Sequence, residues 1–334
     1  MRFPRTFIVT LSCAFSCHAD GSSDFNPWQD AAIYEIRYVI DVSQLKQGSH
    51  RRLWIPLPRE SAQQSVLATE IESPWTYRKH VDAKGNAMLY IELDASHGSA
   101  TTIVNHFKVR RSPSDGLRPA EIDASSADDP ALYLNPAAKI PLGGLIKKIA
   151  EDEGKGIDSK PRLIRTYYDY VFDTMTYSKE GEGWGEGDAI WACTSKYGNC
   201  TDFHSLFIGM ARSKEIPARF IMGFPLSGDK RESRHDGYHC WADVFDEISG
   251  WRPLDISEAK NKDTRDAYYG RLPSNRIEFT VGRDLALTPP QQGKPLNYFI
   301  YPYAEVDGQV IDKLPVELHY KRLTSFSAQQ GSGE

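Results

Sequence analysis

The chain has 334 residues, 40% of them apolar and 25% charged, the composition of a folded protein rather than a disordered or fibrous one, and it is long enough for two domains. Its 40 Lys and Arg stand against 45 Asp and Glu, a formal charge of -5, which gives no general attraction to nucleic acid or to an anionic membrane surface. Five cysteines are too few for a disulfide scaffold and lack the paired short spacings of a zinc site, so Cys13, Cys17, Cys193, Cys200 and Cys240 are read singly.

At the N-terminus, Arg2 and Arg5 precede an apolar run from Phe7 to Phe15, and the small residue Ala19 follows. That is the pattern of a secretory signal peptide over residues 1–19. The run is too short to cross a bilayer as a helix, and it lacks the alternation that an N-terminal core strand, the rival reading, would show. Cys17 follows a small residue, as in bacterial lipoprotein signals, but no Leu stands three positions ahead, so a lipid anchor at Cys17 is the lesser reading. No later stretch reaches the ~20 apolar residues of a membrane-spanning helix. The protein is therefore expected to be exported, periplasmic or secreted.

From residue 28 to 112 the pattern is short and alternating, as in Ile33 to Ile40, Arg52 to Ile55, Leu89 to Leu93 and Thr101 to Val109. Period two predicts strands, and the turn-forming segments between them make this a β-sandwich-like domain. Residues 113–140, rich in Pro, Asp, Ser and Ala, read as a linker or a long wrapping loop. Helical spacing appears over Leu142 to Glu153 and Arg162 to Met175, with Pro161 suited to a first turn. The acidic glycine-rich run Gly181 to Asp188 lacks the Gly-Lys-Ser/Thr end of a phosphate cradle; it reads as a flexible loop near a site, ahead of a metal-binding loop. Beyond Ala218 the chain is strand-like to about Leu323, and residues 326–334 form a polar tail expected to be disordered.

The chemistry concentrates at Lys196-Tyr197-Gly198-Asn199-Cys200-Thr201-Asp202-Phe203. Gly198 and Asn199 break the preceding chain, and Asn199 is a good cap, so a helix should begin beside Cys200. Phe203, Leu206, Phe207, Met210 and Ala211 then fall on one buried face, which Cys200 shares. A sulfur at a helix N-terminus is favoured as thiolate, although a small apolar core residue would occupy the same place. Gly237 to Phe245 alternates as a strand, and a turn leads to Trp251 to Ile256. With a three- or five-residue loop, pairs have even index sums, so either position 239 or 241 faces 255, and Asp255 shares a sheet face with His239. An imidazole can then take a proton from Cys200 while the carboxylate fixes its tautomer. Pro253 removes a ladder donor and would mark a bulge if the register shifts.

Tyr197-Gly198-Asn199-Cys200-Thr201-Asp202, Ile216-Pro217-Ala218-Arg219, Gly237-Tyr238-His239-Cys240-Trp241 and Pro253-Leu254-Asp255 closely resemble the core motifs of the bacterial transglutaminase-like superfamily. The resemblance implies an α+β chain: an N-terminal β-sandwich-like domain and, over 141–325, a papain-like core whose helix carries Cys200 and whose adjacent strands carry His239 and Asp255. It further implies Cys200 as nucleophile, His239 as general base and acid, and Asp255 as orienter. Glu215 departs from the family pattern, which has Gly before Ile-Pro-Ala-Arg; a left-handed residue there costs a non-glycine about 1 kcal/mol. The second oxyanion donor is not legible, since Tyr177, Trp184 and Trp191 each read first as packing aromatics.

Cys240 should point away from His239 along its strand, which argues against direct participation. Cys193, in the loop before the nucleophile, either pairs with Cys240 or both stay buried while Cys200 remains free. His204 and His235 read as a helix-surface residue and a loop residue. No cofactor or metal is called for, and no acidic spacing resembles an EF-hand. The partner that the resemblance implies is a peptide or protein substrate. Its amide bond is expected to be attacked through a thioester, with hydrolysis by a protease or deamidase favoured over cross-linking by a transglutaminase; a non-catalytic papain-like binding module is the rival class.

Overall fold

The computed structural model describes residues 25–45, 48–94, 101–115, 128–311 and 313–327. The expected signal peptide over 1–19, Cys17 within it, and the tail beyond 327 lie outside the described residues. In chain order the elements are β1 (Asp30–Asp41), β2 (Arg51–Pro56), β3 (Gln64–Glu72), β4 (Tyr77–Val81), β5 (Ala87–Glu92), β6 (Thr102–Arg111) and β7 (Ser114–Asp115). The helices α1 (Gly144–Glu153) and α2 (Lys160–Thr174) follow, then β8 (Thr176–Tyr177), α3 (Ala189–Ser195), β9 (Tyr197–Gly198) and α4 (Cys200–Ser213). Next come β10 (Ala218–Pro225), β11 (Glu232–His235), β12 (His239–Asp246), β13 (Gly250–Leu254), α5 (Ile256–Asn261), β14 (Arg271–Leu272) and β15 (Arg276–Val281). The chain ends with β16 (Tyr303–Val306), β17 (Gln309–Ile311) and β18 (Val316–Ser327). Among the described residues no helix is long and apolar enough to cross a membrane.

The alternating segments form strands because one side of each is apolar. Along β1, Tyr34, Ile36, Tyr38 and Ile40 are buried while Glu35 and Arg37 are exposed. These strands make two five-stranded antiparallel sheets, ordered β11-β18-β1-β6-β3 and β17-β16-β2-β5-β4. The contiguous division into 28–112 and 141–325 is corrected by this pairing. β18 lies against β1 along its length, Ile40 opposite Val316 and Asp30 opposite Ser327, and β16 lies against β2. Both sheets thus draw strands from either side of the intervening segment, and β18 continues to Ser327, into the expected tail.

The described part of the expected linker is packed rather than free. β7 pairs with β14, a 3-10 turn over Pro130–Tyr133 buries Tyr133, and the Asn135 carbonyl accepts from Arg212 Nη1 at 2.7 Å. The outer face of the second sheet is also covered. Trp54, Met88 and Tyr90 pack with Leu285, Leu287 and Phe299, and the Trp54 indole N–H donates to the Pro289 carbonyl at 3.0 Å.

A four-stranded antiparallel sheet, β13-β12-β10-β15, carries the candidate site. Its Phe279 meets Tyr38 and Phe107 of the first sheet at centroid separations of 6.3 and 6.2 Å, so the sheets share one apolar core. Buried charges also cross this boundary. Glu278 of β15 pairs with Arg111 of β6 at 2.8 Å and with Arg59 at 3.5 Å, and these guanidiniums, against the cost of burial, hold its carboxyl below the usual range. α4 lies on β12 and β10, with α1, α2 and α3 packed around it. Every residue of α4 from Cys200 to Arg212 is buried, which corrects the expectation of a single buried face: both the sheet and the other helices cover it.

Candidate active site

α4 starts where the local residues require it. Gly198 has φ +152°, and a Cβ there would stand 2.4 Å from the Asp202 carboxylate, so only glycine fits. Asn199 caps the helix, its Oδ1 accepting the Thr201 amide at 2.9 Å. Asp202 returns the bond by accepting the Asn199 amide at 2.9 Å, the reciprocal arrangement of a capping box. The same carboxylate accepts the amides of Gly185 at 2.7 Å and Gly187 at 2.9 Å. The glycine-rich segment is therefore pinned to the first turn of α4, not left as the expected flexible loop. Arg283 adds a second tie, donating to Ser205 Oγ at 2.6 Å and to the Gly187 carbonyl at 3.1 Å.

Cys200 occupies the first position of this helix and is 3% exposed. Its amide is among those that a helix start leaves without an intrahelical partner, facing the same side as the helix dipole's positive end. β12 and β13 meet through a tight turn in the even-sum register, Ala242 opposite Leu254 and Asp246 opposite Gly250. Pro253 sits opposite Asp243 without a bulge. Extending that register by one pair sets 241 against 255, the second of the two alternatives, so His239 reaches Asp255 diagonally. Asp255 is not on a strand. It lies one residue beyond β13 and caps α5, Oδ1 accepting the Glu258 amide at 3.1 Å and the Ser257 hydroxyl at 3.2 Å.

The remaining carboxylate oxygen, Oδ2, accepts from His239 Nε2 at 2.6 Å. With Nε2–H committed to Asp255, Nδ1 is the imidazole nitrogen left free, and His239 and Cys200 act on each other electrostatically. Electrostatics follow this geometry. The adjoining Cys240 thiol, then His239, hold the Cys200 thiol well below its ordinary range although burial opposes this. Burial would lower His239, but Asp255 and Cys200 raise it to about 10. Asp255 is fully buried, which would raise it, yet His239 and Arg276 keep it below the usual carboxylate range. These directions favour a thiolate beside an imidazolium, with the carboxylate hydrogen-bonded to the imidazole.

Two neighbours depart from the sequence reading. His204 is completely buried instead of lying on a helix surface, and its Nε2 accepts the Ile256 amide at 3.0 Å. Cys240 does point away from the His239 and Trp241 side of β12, but that other face is the one α4 covers, so its sulfur lies 3.7 Å from His204 Nδ1 and against Cys200. Both were hidden because α4 is buried all round, and the only available signal was their position one turn or one residue from a triad member. Cys193 lies on α3 rather than in a loop, and Cys193, Cys200 and Cys240 are all buried free thiols. His235 belongs to β11 and is half-buried. Of the upstream aromatics, Tyr177 packs near Phe203 and Trp191 against Tyr197. β8 runs parallel to β9 with Tyr177 beside Gly198, close to the start of α4.

Residues 147–256 match the model of the transglutaminase-like superfamily core. An uncharacterised protein of Haemophilus influenzae is 25% identical, the alignment covering 93% of this chain and 96% of that one, and another from Mycobacterium leprae is 23% identical over 80% and 92%. Among solved structures, a candidate cysteine protease of Cytophaga hutchinsonii superposes with a TM-score of 0.59 at 14% identity, covering 88% of this chain and 91% of that one, which establishes a common fold. Residues 147–256, which hold the Cys200 helix, His239 and Asp255, thus match a transglutaminase-like superfamily core.

Proposed function

We propose that this protein is an exported cysteine enzyme that attacks an amide bond of a peptide or protein through a thioester, resolved by water in preference to an amine. The observation that carries the reading is the 2.6 Å contact between His239 Nε2 and Asp255, because it commits one imidazole nitrogen to the carboxylate and leaves the other for proton exchange with the cysteine that opens a buried helix. In the reaction, the Cys200 thiolate adds to the amide carbonyl, and the Cys200 amide at the helix start stabilises the oxyanion. The carbon–nitrogen bond breaks as His239 gives its Nδ1 proton to the departing amine. His239, now neutral, takes a proton from water, whose oxygen attacks the thioester. Cys200 leaves as thiolate and the imidazolium is restored. Asp255 holds the imidazole throughout and stabilises its charged form.

Water is favoured as the second nucleophile because it reaches an exported site at a concentration that no dilute amine matches. The test uses the protein and a Cys200→Ala variant on peptide mixtures and on a glutamine peptide with excess primary amine, read by mass spectrometry. Hydrolysis predicts a chain break, or a gain of about one mass unit at glutamine, that depends on Cys200. Amine incorporation would move the reading to cross-linking, and products indifferent to Cys200→Ala would end it.

A further inference from the structure

The first five-stranded sheet turns one face, the side of β1 that carries Glu35 and Arg37, towards solvent, and that face holds a groove of about 830 Å³ lined by outward side chains of β11, β18, β1, β6 and β3. The register sets these side chains in rows. In one row, Glu232 lies opposite Lys321, Lys321 opposite Glu35, and Glu35 opposite Lys108, so the signs alternate and each charge has an opposite neighbour. The next row differs. Arg234 lies opposite His319, His319 opposite Arg37, and Arg37 opposite His106, before Glu70 closes it. Directly opposed basic groups weaken strand pairing. The flanks of this row are compensated: His106 Nε2 meets Glu72 at 2.7 Å, His319 Nε2 meets Glu317 at 3.2 Å, and Arg234 is held by Asp236 at 2.9 Å and Glu317 at 3.1 Å. Its middle is not. Arg37, on the central strand and exposed, forms no ion pair or hydrogen bond among the described residues.

We propose that this row is an exosite for an acidic segment of the polypeptide substrate, a carboxylate of that segment binding to the Arg37 guanidinium between His319 and His106. The inference rests on the reading of the protein as an enzyme of peptide amides. A guanidinium offers two parallel N–H donors that match a carboxylate, and an incoming carboxylate removes the repulsion along the row. The neighbouring row selects among anions. Glu232 and Glu35 lie two residues along their strands from Arg234 and Arg37, so a uniform polyanion such as nucleic acid meets them with like charge, whereas a peptide with separate acidic side chains does not have to. The groove also lies within reach of the triad. β11 ends at His235 and β12 begins at His239, so Arg234 stands five residues before His239, at most about 17 Å of extended chain, and Arg37 lies two strand spacings, about 10 Å, further across the sheet. An extended segment of about eight residues spans that distance.

The experiment measures, by fluorescence anisotropy on the full chain and its Cys200→Ala form, the binding of a labelled decapeptide with glutamate at every third position and of its glutamine twin. R37Q and K321Q each remove one cation from the solvent face, the first from the basic row and the second from the compensated one, so neither disturbs the core. The acidic peptide should bind, its glutamine twin about fivefold or more weakly; R37Q should weaken the acidic peptide about fivefold and K321Q less than about twofold. When the acidic decapeptide is joined to a cleaved sequence, R37Q should raise KM by a similar factor and leave kcat unchanged. Equal losses in R37Q and K321Q, or equal binding of the two peptides, would reduce the effect to general charge and overturn the exosite. Tighter binding of a polyphosphate of equal charge would make the row a polyanion site and overturn the peptide assignment. Binding that depends on Arg37 beside cleavage that does not would overturn the link to the substrate. A parent protein that binds the acidic peptide but cleaves no peptide at all would instead overturn the enzyme reading, and with it that link, while the Arg37 site stands.

Discussion

At the scale of residues, the candidate site is a set of ionisations that burial alone would forbid and that mutual contact permits. Asp255 and His239 are both held in their charged forms by each other, so their pair contributes stability with a definite pH window. Asp255 is lowered, and its contribution exists above the unfolded value of about 3.9 and is lost as pH falls through the folded one; His239 is raised, and its contribution exists below about 6.5 and is lost as pH climbs towards about 10. Asp255→Asn should therefore lose most stability relative to the parent protein between about pH 4 and 6.5, with the difference shrinking on both sides, as urea unfolding at several pH values will measure. The same variant should lower amide turnover roughly a thousandfold or more, because the imidazole loses its orienter. Cys200, His239 and Asp255 were legible because each sits in a local pattern: a cap, an alternating strand, a turn. His204, Cys240 and the three-amide grip of Asp202 were not, since each depends on which faces two distant segments bring together.

At the scale of elements, both ends of α4 are set by single residues. The start needs Gly198 and Asn199. The end runs through Glu215, whose φ is +56°, with Ile216 N bonded to the Ala211 carbonyl at 3.1 Å and Glu215 N to Arg212 at 3.0 Å. That is a Schellman ending, in which glycine is the unstrained residue at the left-handed position. Glu215→Gly should stabilise the protein by up to about 1 kcal/mol, raising the thermal midpoint by about 2–4 °C without altering the site; an unchanged or lower midpoint would mean that the glutamate side chain offsets its backbone strain. The β12–β13 hairpin was legible to within two registers, and the even index sum that mattered for His239 and Asp255 held. Its second strand stops two residues early, however, because the Asp255 carboxylate takes the Glu258 amide and the Ser257 hydroxyl of α5 in place of a further ladder partner.

At the scale of the whole molecule, the strand-forming character of the N-terminal segment was legible but its closure was not. Alternation reports that a strand has one buried face and says nothing about which distant strand lies beside it. β18 and β16 complete the two large sheets, and the Arg111–Glu278 pair and the shared apolar core bind those sheets to the one carrying His239. A chain ending at residue 302 should consequently fail to fold cooperatively, although it retains the whole match at 147–256; a sharp thermal transition from that chain would show that the core stands alone. The central claim, that Cys200 is a thiolate made ready by His239 and Asp255, is tested most directly by the pH dependence of Cys200 alkylation in the unaltered protein. The account predicts a midpoint well below an ordinary thiol's near 8.5; a rate that climbs only through that ordinary midpoint would contradict it.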